Sequence, residues 1–172
     1  RMLIIQFIIN NGFNVIHSDL DAIWVKNILP LFNNKKIDLY ISQGTIFPKQ
    51  HLKKHNFVLC CGLFYLKSNN RTIYFLKKYI KMLKKIKDDQ ITINKLLINT
   101  IWDNSDCVKN NQYCYFMNDI YGYNKDYNLR LCMLSMNTIQ REYLNKKGYI
   151  YHILTPKNCF KKIKIFKQMN II

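Results

Sequence analysis

Every hydrophobic stretch in this chain is broken by Lys, Asn or Asp before it reaches about eighteen residues, the length that would carry it across a bilayer. The expectation is therefore no membrane span, and an interior made by packing short apolar segments against one another. At 172 residues and 49% hydrophobic there is enough apolar material for one buried core. Five Gly and three Pro are few, and no Ser- or Pro-rich linker separates two halves, so one domain over residues 1–172 is expected. The opening RMLIIQFIINNG begins with Arg, turns polar at Asn10 and Asn11, and lacks a small-residue cleavage site. It reads as a helix inside a domain truncated at its N-terminal side.

The net charge of +17, from 27 basic and 10 acidic residues, raises nucleic acid or anionic lipid as a partner. Its source argues otherwise. Lys outnumbers Arg 23 to 4, and Lys, Asn and Ile fill 69 positions, a skew expected of A/T-rich coding. A surface selected for phosphate favours Arg, whose planar fork grips two oxygens at once. No nucleic-acid partner is expected, and a basic nucleic-acid-binding module stands as an alternative. The six cysteines form no CxxC pair and no Cys/His set with zinc spacing. They fit reduced, partly buried thiols, with a bridge such as Cys107 to Cys114 as the alternative in an oxidising lumen.

Hydrophobic spacing predicts a helix over Arg1 to Ile9, buried on most sides and ended by Asn11-Gly12. A strand through Phe13, Val15 and Ile16 delivers acidic residues at its carboxyl end, and a helical turn follows at Asn27 to Phe32. Ile37 to Ser42 reads as a strand, Gln43 to Asn56 as the longest loop, and Phe57 to Lys67 as a strand containing Gly62. From Asn70 the stripe Ile73, Leu76, Tyr79, Ile80, Leu83 and Ile86 against six lysines predicts an amphipathic helix. A second helix starts at Asp88-Asp89. Short strands are expected near Tyr113 to Met117, Leu131 to Leu134 and Tyr149 to Ile153, with a helix over Thr138 to Lys147. Strands interleaved with helices indicate an α/β domain.

Asp19 and Asp21 stand two apart, so on an extended chain both carboxylates point to one side and can share a divalent cation. With nine Asp in the chain such a pair arises by chance in about one case of two, and a solvated turn is the plain alternative. Position after an apolar strand, where open α/β sheets put their ligands, favours the site. Gln90 and Asn94, four apart on a helix, share a face and can offer two amides to a hydroxylated ligand. Asp88 and Asp89 are equally explained as helix caps. His152, ending the last predicted strand, can join the two carboxylates on one metal, although a lone His is more often structural. Lysines 161, 162, 164 and 167 can place an ammonium on a diphosphate or simply form a solvated face.

Four blocks, taken in order, resemble the nucleotide-diphospho-sugar transferase family, glycosyltransferases that include plant cell-wall xylosyl- and arabinosyltransferases and viral and protist relatives. NNGFNVIHSDLDAIWVKN resembles the family's helix end, strand and metal-binding Asp-x-Asp followed by an aromatic. CCGLFYLKSNNRTIYFLKKY resembles its Gly-containing strand, turn and helix; DDQITINKLL its Asp-Gln helix with a following Asn; YIYHILTPKNCFKKIKIF its closing His with a Lys some ten residues on. The blocks run from about Asn10 to Phe166.

The resemblance implies a GT-A fold that holds a nucleotide-sugar diphosphate through Mn2+ or Mg2+ and transfers the sugar with retention of configuration. It implies a UDP-sugar donor and a glycan or protein hydroxyl as acceptor. Carried onto this chain, Asp21 is the main carboxylate ligand, Asp19 contacts the metal or the ribose, and His152 completes the protein ligands. Asp89 and Gln90 lie near the transferred sugar as the catalytic pair. Gly62 and Asn94 belong to the substrate side, and Lys161 or Lys162 to the phosphates. A metal and a Lys suit this chemistry because the departing diphosphate gathers negative charge.

Two departures stand out. Only about eighteen residues precede Asp19, so the base-binding strands that family members carry there are expected to be missing. Cys60-Cys61 stands before Gly62 where many relatives have Asn and a small residue. The rival enzyme reading is a haloacid-dehalogenase-like phosphatase, whose Asp-x-Asp also follows a strand. That chemistry wants Thr or Val two residues past the second Asp, where this chain has Ile23 and Trp24, and no Gly-Asp pair follows. Location is cytosolic if the protein is viral or a protist's cytosolic enzyme, and the Golgi lumen if an upstream anchor precedes Arg1.

Overall fold

The alternation of short apolar runs with polar breaks winds strands and helices around one six-stranded sheet. The computed structural model describes residues 1–103, 107–109, 114–141, 148–153, 159–168 and 170. In chain order its elements are α1 (Met2–Asn10), β1 (Val15–Ser18), β2 (Ile23–Trp24), a 3-10 turn (Leu29–Phe32), β3 (Leu39–Gln43) and α2 (Lys49–His55). There follow β4 (Leu59–Leu66), α3 (Asn70–Ile86), α4 (Asp89–Leu96), β5 (Thr100–Trp102), β6 (Cys107–Lys109) and β7 (Cys114–Phe116). The chain closes with β8 (Ile120–Asn124), β9 (Leu129–Leu134), β10 (Ile139–Gln140), β11 (Ile150–Tyr151) and α5 (Cys159–Gln168).

The main sheet runs β1-β4-β3-β9-β8-β5. Its pairs are antiparallel except β3 with β9, so β1, β3, β9 and β5 point the same way and end at one rim. Asp19 follows β1 at that rim, and Asp103 follows β5. Register separates the faces. Leu39 with Leu131 and Ile41 with Met133 turn toward α1, α3 and α4, where Phe75, Leu76, Tyr79 and Ile93 complete the larger core. Tyr40 with Cys132 turns the other way, onto Ala22, Ile28, Ile139 and Ile150. A small sheet, β10-β11-β2, lies in this second cluster.

Helix boundaries follow local chemistry. The Asn69 side chain caps α3 by accepting from the Arg71 and Thr72 backbone amides, while Thr72 reaches back to the Asn69 amide in a capping box. The helix ends at Lys87 in the left-handed conformation. Asp88 then caps α4 by accepting from Ile91 N at 2.7 Å. Gly12, at φ +88°, makes the turn after α1.

The expected α/β class is the one adopted, with four local differences. Helix α1 buries Met2, Ile5 and Ile9 on one side only; Leu3, Ile4 and Phe7 are exposed, so it is amphipathic rather than buried on most sides. The expected loop over Gln43 to Asn56 contains α2, a polar helix held by fully buried His51. Ile139–Gln140, expected within a helix, is strand β10, and residues 142–147 of that expected helix lie outside the described residues. Strands β5, β6 and β8 were not expected. The strand near Tyr113 to Met117 is β7, with Tyr113 itself outside the described residues. Cys107 and Cys114 are bridged, and Cys60, Cys61 and Cys132 are buried free thiols. No helix among the described residues is long and apolar enough to cross a membrane.

Candidate functional site

Strand β1 hands the chain to Asp19, whose backbone N–H donates to Gly62 O of β4 at 2.8 Å. A tight turn, closed by Ala22 N–H to Asp19 O at 3.1 Å, carries Asp21 and releases β2 toward the small sheet. There Ile23 pairs with Tyr151 and Trp24 with Ile150, so the residue after β11 arrives beside the turn. That residue is His152, held by its backbone N–H on Gln140 O at 2.9 Å. Its Nε2 lies 3.2 Å from Asp21 Oδ1 and 3.9 Å from Asp19 Oδ2. One ligand atom from each of Asp19, Asp21 and His152 fits within 4.8 Å of the others. Two acids near the start of the chain and an imidazole near its end thus share one centre.

Gly62 makes the space. A Cβ there would stand 2.0 Å from His152 Cε1 and 3.1 Å from Asp19 Oδ2, so the imidazole is seated where any other residue would place its side chain. Positive groups surround the acids. Arg1 lies 3.4 Å from Asp19 Oδ1, and its other terminal nitrogen pairs with Asp89 Oδ2. Lys162 pairs with Asp21 Oδ2. It stands one helical turn from Phe166, which is buried beside Tyr151 and Ile153, so the apolar anchor of α5 fixes the face from which Lys162 reaches inward.

These contacts set protonation. The hydrogen bond with His17, helped by the nearby His152 and Arg1, holds the Asp19 carboxyl below its usual range against the opposing effect of burial. Burial pushes Asp21 up, but the hydrogen bond from Lys162 and the charges around it outweigh burial and leave the carboxyl lowered. Burial, reinforced by the Arg141 charge, pushes His152 down to about 4, so the ring is neutral at neutral pH. Two carboxylates and a neutral imidazole are the donor set of a Mn2+ or Mg2+ centre with an oxygen-rich shell. By donor type and by the room that Gly62 leaves, the residues fit such an ion.

Arg141 was not anticipated from the sequence. It is buried, and its guanidinium donates to His152 Nδ1 while its own Nε has no partner. A guanidinium cannot accept, so Nδ1 is the acceptor and the neutral ring carries its proton on Nε2, toward Asp21. Metal-bound histidines ordinarily donate their second N–H to an acceptor, so ligation through Nε2 requires Arg141 to leave Nδ1. Arg1 was missed as well. Both had a signal: in a chain that uses Lys almost everywhere, its four arginines mark places where a fork rather than a point charge is needed.

The remaining expected residues divide. Asp89 sits in the first turn of α4 without capping it and meets Arg1 instead, while Asp88 is the cap. Gln90 borders the site with its amide engaged: Nε2 donates to Leu59 O at 2.8 Å and Phe47 O at 3.2 Å, and Oε1 accepts from Cys61 N at 3.1 Å. Asn94 does not face a ligand. It is fully buried, donates to Leu59 O and Gln90 O, and accepts from Leu59 N, fastening α4 to β4. Lys161 lies on the exposed side of α5, and Lys162 is the one that turns to the acids.

Residues 1–164 match the family described as nucleotide-diphospho-sugar transferase. Among curated proteins, a UDP-galactose:fucoside alpha-3-galactosyltransferase of Dictyostelium discoideum is 27% identical over 108 residues, which cover 56% of this chain. The match spans only 15% of that relative's own length. No solved structure matches the chain.

Proposed function

The chain belongs to the nucleotide-diphospho-sugar transferase family, a family of glycosyltransferases, and from that premise we propose that it moves a sugar from a UDP-sugar to an acceptor hydroxyl at the Asp19, Asp21 and His152 centre. The observation that carries the reading is the convergence of these three side chains at the strand rim. Asp21 and His152 would hold the cation, Mn2+ or Mg2+, with Asp19 as further ligand or as partner of the nucleotide ribose. The bound cation would supply a Lewis acid for the charge that collects on the departing diphosphate.

The chain's own groups do the rest. Lys162 neutralises Asp21 in this structure and is the nearest ammonium for a phosphate oxygen once that carboxylate has another partner. Arg1 ties Asp19 to Asp89, so the carboxylate assigned to the transferred sugar is fixed relative to the metal ligands. Gln90 stands at the same border, its amide spent on β4 backbone, and its part is to keep that wall rigid. The Dictyostelium relative is named for an alpha linkage made from UDP-galactose, whose own anomeric centre is alpha, and this supports retention here. In the described sheet β1 is an edge strand. That open edge beside the acids supports a GT-A sheet continued by upstream strands that complete the base pocket.

The test, made on the protein with the upstream strands present, is turnover of UDP-galactose, as hydrolysis and as transfer to a methyl fucoside, with Mn2+ and with chelator. Activity is expected only with the ion, and Asp21→Ala should lower it by at least about a hundredfold. Equal activity of Asp21→Ala and the unaltered chain would refute the assignment.

A further inference from the structure

A groove of about 830 Å³ lies along β5, β8 and β9, away from the Asp19, Asp21 and His152 centre. Four strand spacings separate β1 from β8, roughly 19 Å across the sheet. On the face shared with the small sheet, packing by the 3-10 turn and by β10 and β11 covers the sheet from β4 to β9. Beyond β9 the same face is open: Ile101 is 60% exposed, Tyr121 48% and Tyr123 39%. Register aligns these groups. Ile101 pairs with Tyr123, Tyr123 with Arg130, and Tyr121 with Cys132, so both phenol rings stand on that face, roughly 7 Å apart along the strand.

We infer that this ledge binds the glycan part of the acceptor, an inference that rests on the transferase reading and names where its second substrate lies. The chemistry of the wall selects the ligand. A pyranose has a C–H face that stacks on an aromatic ring and a belt of hydroxyls that need donors and acceptors beside it. Tyr121 and Tyr123 offer the rings, and Tyr123 is steadied by donating its phenol proton to Asn128 Oδ1 at 3.0 Å. Asp103, fixed at the rim by its backbone N–H on Tyr121 O at 2.9 Å, offers a carboxylate, and Arg130 and Asn34 line the same groove with donors and an amide. Lys36 and Arg130 stand with Asp103 in the lining, a mixture of donors and acceptors that the hydroxyl belt of a sugar can use on both sides. Strand β5 has three residues, a short edge for pairing with a second copy. Because β5 and β1 end at one rim, Asp103 marks the groove's mouth on the side where Asp19 stands, and an extended oligosaccharide can lie along the rim between them.

The experiment titrates this chain with maltopentaose, cellopentaose and a fucose-terminated trisaccharide by calorimetry, and separately with Mn2+ and UDP-galactose. At least one glycan is expected to bind. Tyr121→Ala with Tyr123→Ala should weaken it at least about tenfold, and the Phe replacements, which keep the rings, should retain most of the affinity. Thermal unfolding of each variant checks its fold. If none of the glycans binds while Mn2+ does, the ledge is wrong and the transferase reading survives. If the glycan binds at the tyrosines while Mn2+ does not bind, the ledge stands as a glycan site and the transferase reading fails. A dimer dissolved by the Tyr→Ala pair, seen by sedimentation, would make the ledge a contact between copies and overturn the proposal.

Discussion

At the scale of single residues, the site depends on one missing side chain and one misplaced proton. Gly62→Ala puts a methyl group onto the seat of the His152 ring, and the ring is the softer neighbour. The expected outcome is loss of Mn2+ affinity by about tenfold or more with little change in thermal stability, read by calorimetry and by melting. Arg141 acts the other way. By donating to Nδ1 it keeps the proton of the neutral ring on Nε2, the atom that faces the acids. Arg141→Met is expected to tighten Mn2+ binding, because it leaves Nδ1 free to carry the proton once an ion takes Nε2. The nitrogen shifts of His152 with Mg2+ bound report the tautomer directly, and an Nε2–H signal that persists in the Mg2+-loaded variant would contradict the assignment. Asp19, Asp21 and His152 were legible only through the order of the family-like blocks, since alone the Asp-x-Asp pair arises by chance about one time in two and a lone His is more often structural. Arg1 and Arg141 stood out only as two of four arginines in a Lys-rich chain, and their partners were not legible because they are set by pairing between distant segments.

At the scale of elements, what was legible followed period. Helix α3 announces itself by a stripe and a cap, and β4 by an unbroken apolar run, which is how a strand covered on both faces reads. Helix α2 did not, since KQHLKKH has no stripe and is held by His51, whose ring hydrogen-bonds Phe57 O at 2.9 Å. Strands β5 and β8 carry Gly, Asn and Trp in place of a clean alternation, and their pairing is tertiary. The joints between elements are polar. Asp38 is fully buried at the start of β3, where it accepts from Arg71 of α3 at 2.7 Å, from Asn69 at 2.8 Å and from the Arg130 backbone at 3.0 Å. Burial raises its pKa, and these donors more than offset it, so the carboxyl is held low. Asp38→Ala leaves the donors around it unmatched and is expected to cost about 3 kcal/mol in denaturant unfolding. A cost near zero would mean that the joint is ornamental.

At the scale of the whole molecule, stability is expected to follow pH through its buried histidines. Burial pushes His51, like His152, down to about 4. The unfolded chain takes up protons near 6.5 that the folded chain refuses until about 4, so stability is full above that upper value and falls as pH drops between the two. The slope is about 1.4 kcal/mol per pH unit for each such residue, and His51→Gln should remove one share of it in urea titrations at stepped pH.

The account as a whole depends on a pairing between β2 and β11 that brings the two ends of the chain to one ion. Its most direct test is Mn2+ binding followed by electron paramagnetic resonance in the presence of UDP, on the unaltered chain and on Asp21→Asn and His152→Ala. One tightly held ion per chain is expected, with both substitutions releasing it. An ion held as firmly by either variant would contradict the centre proposed here.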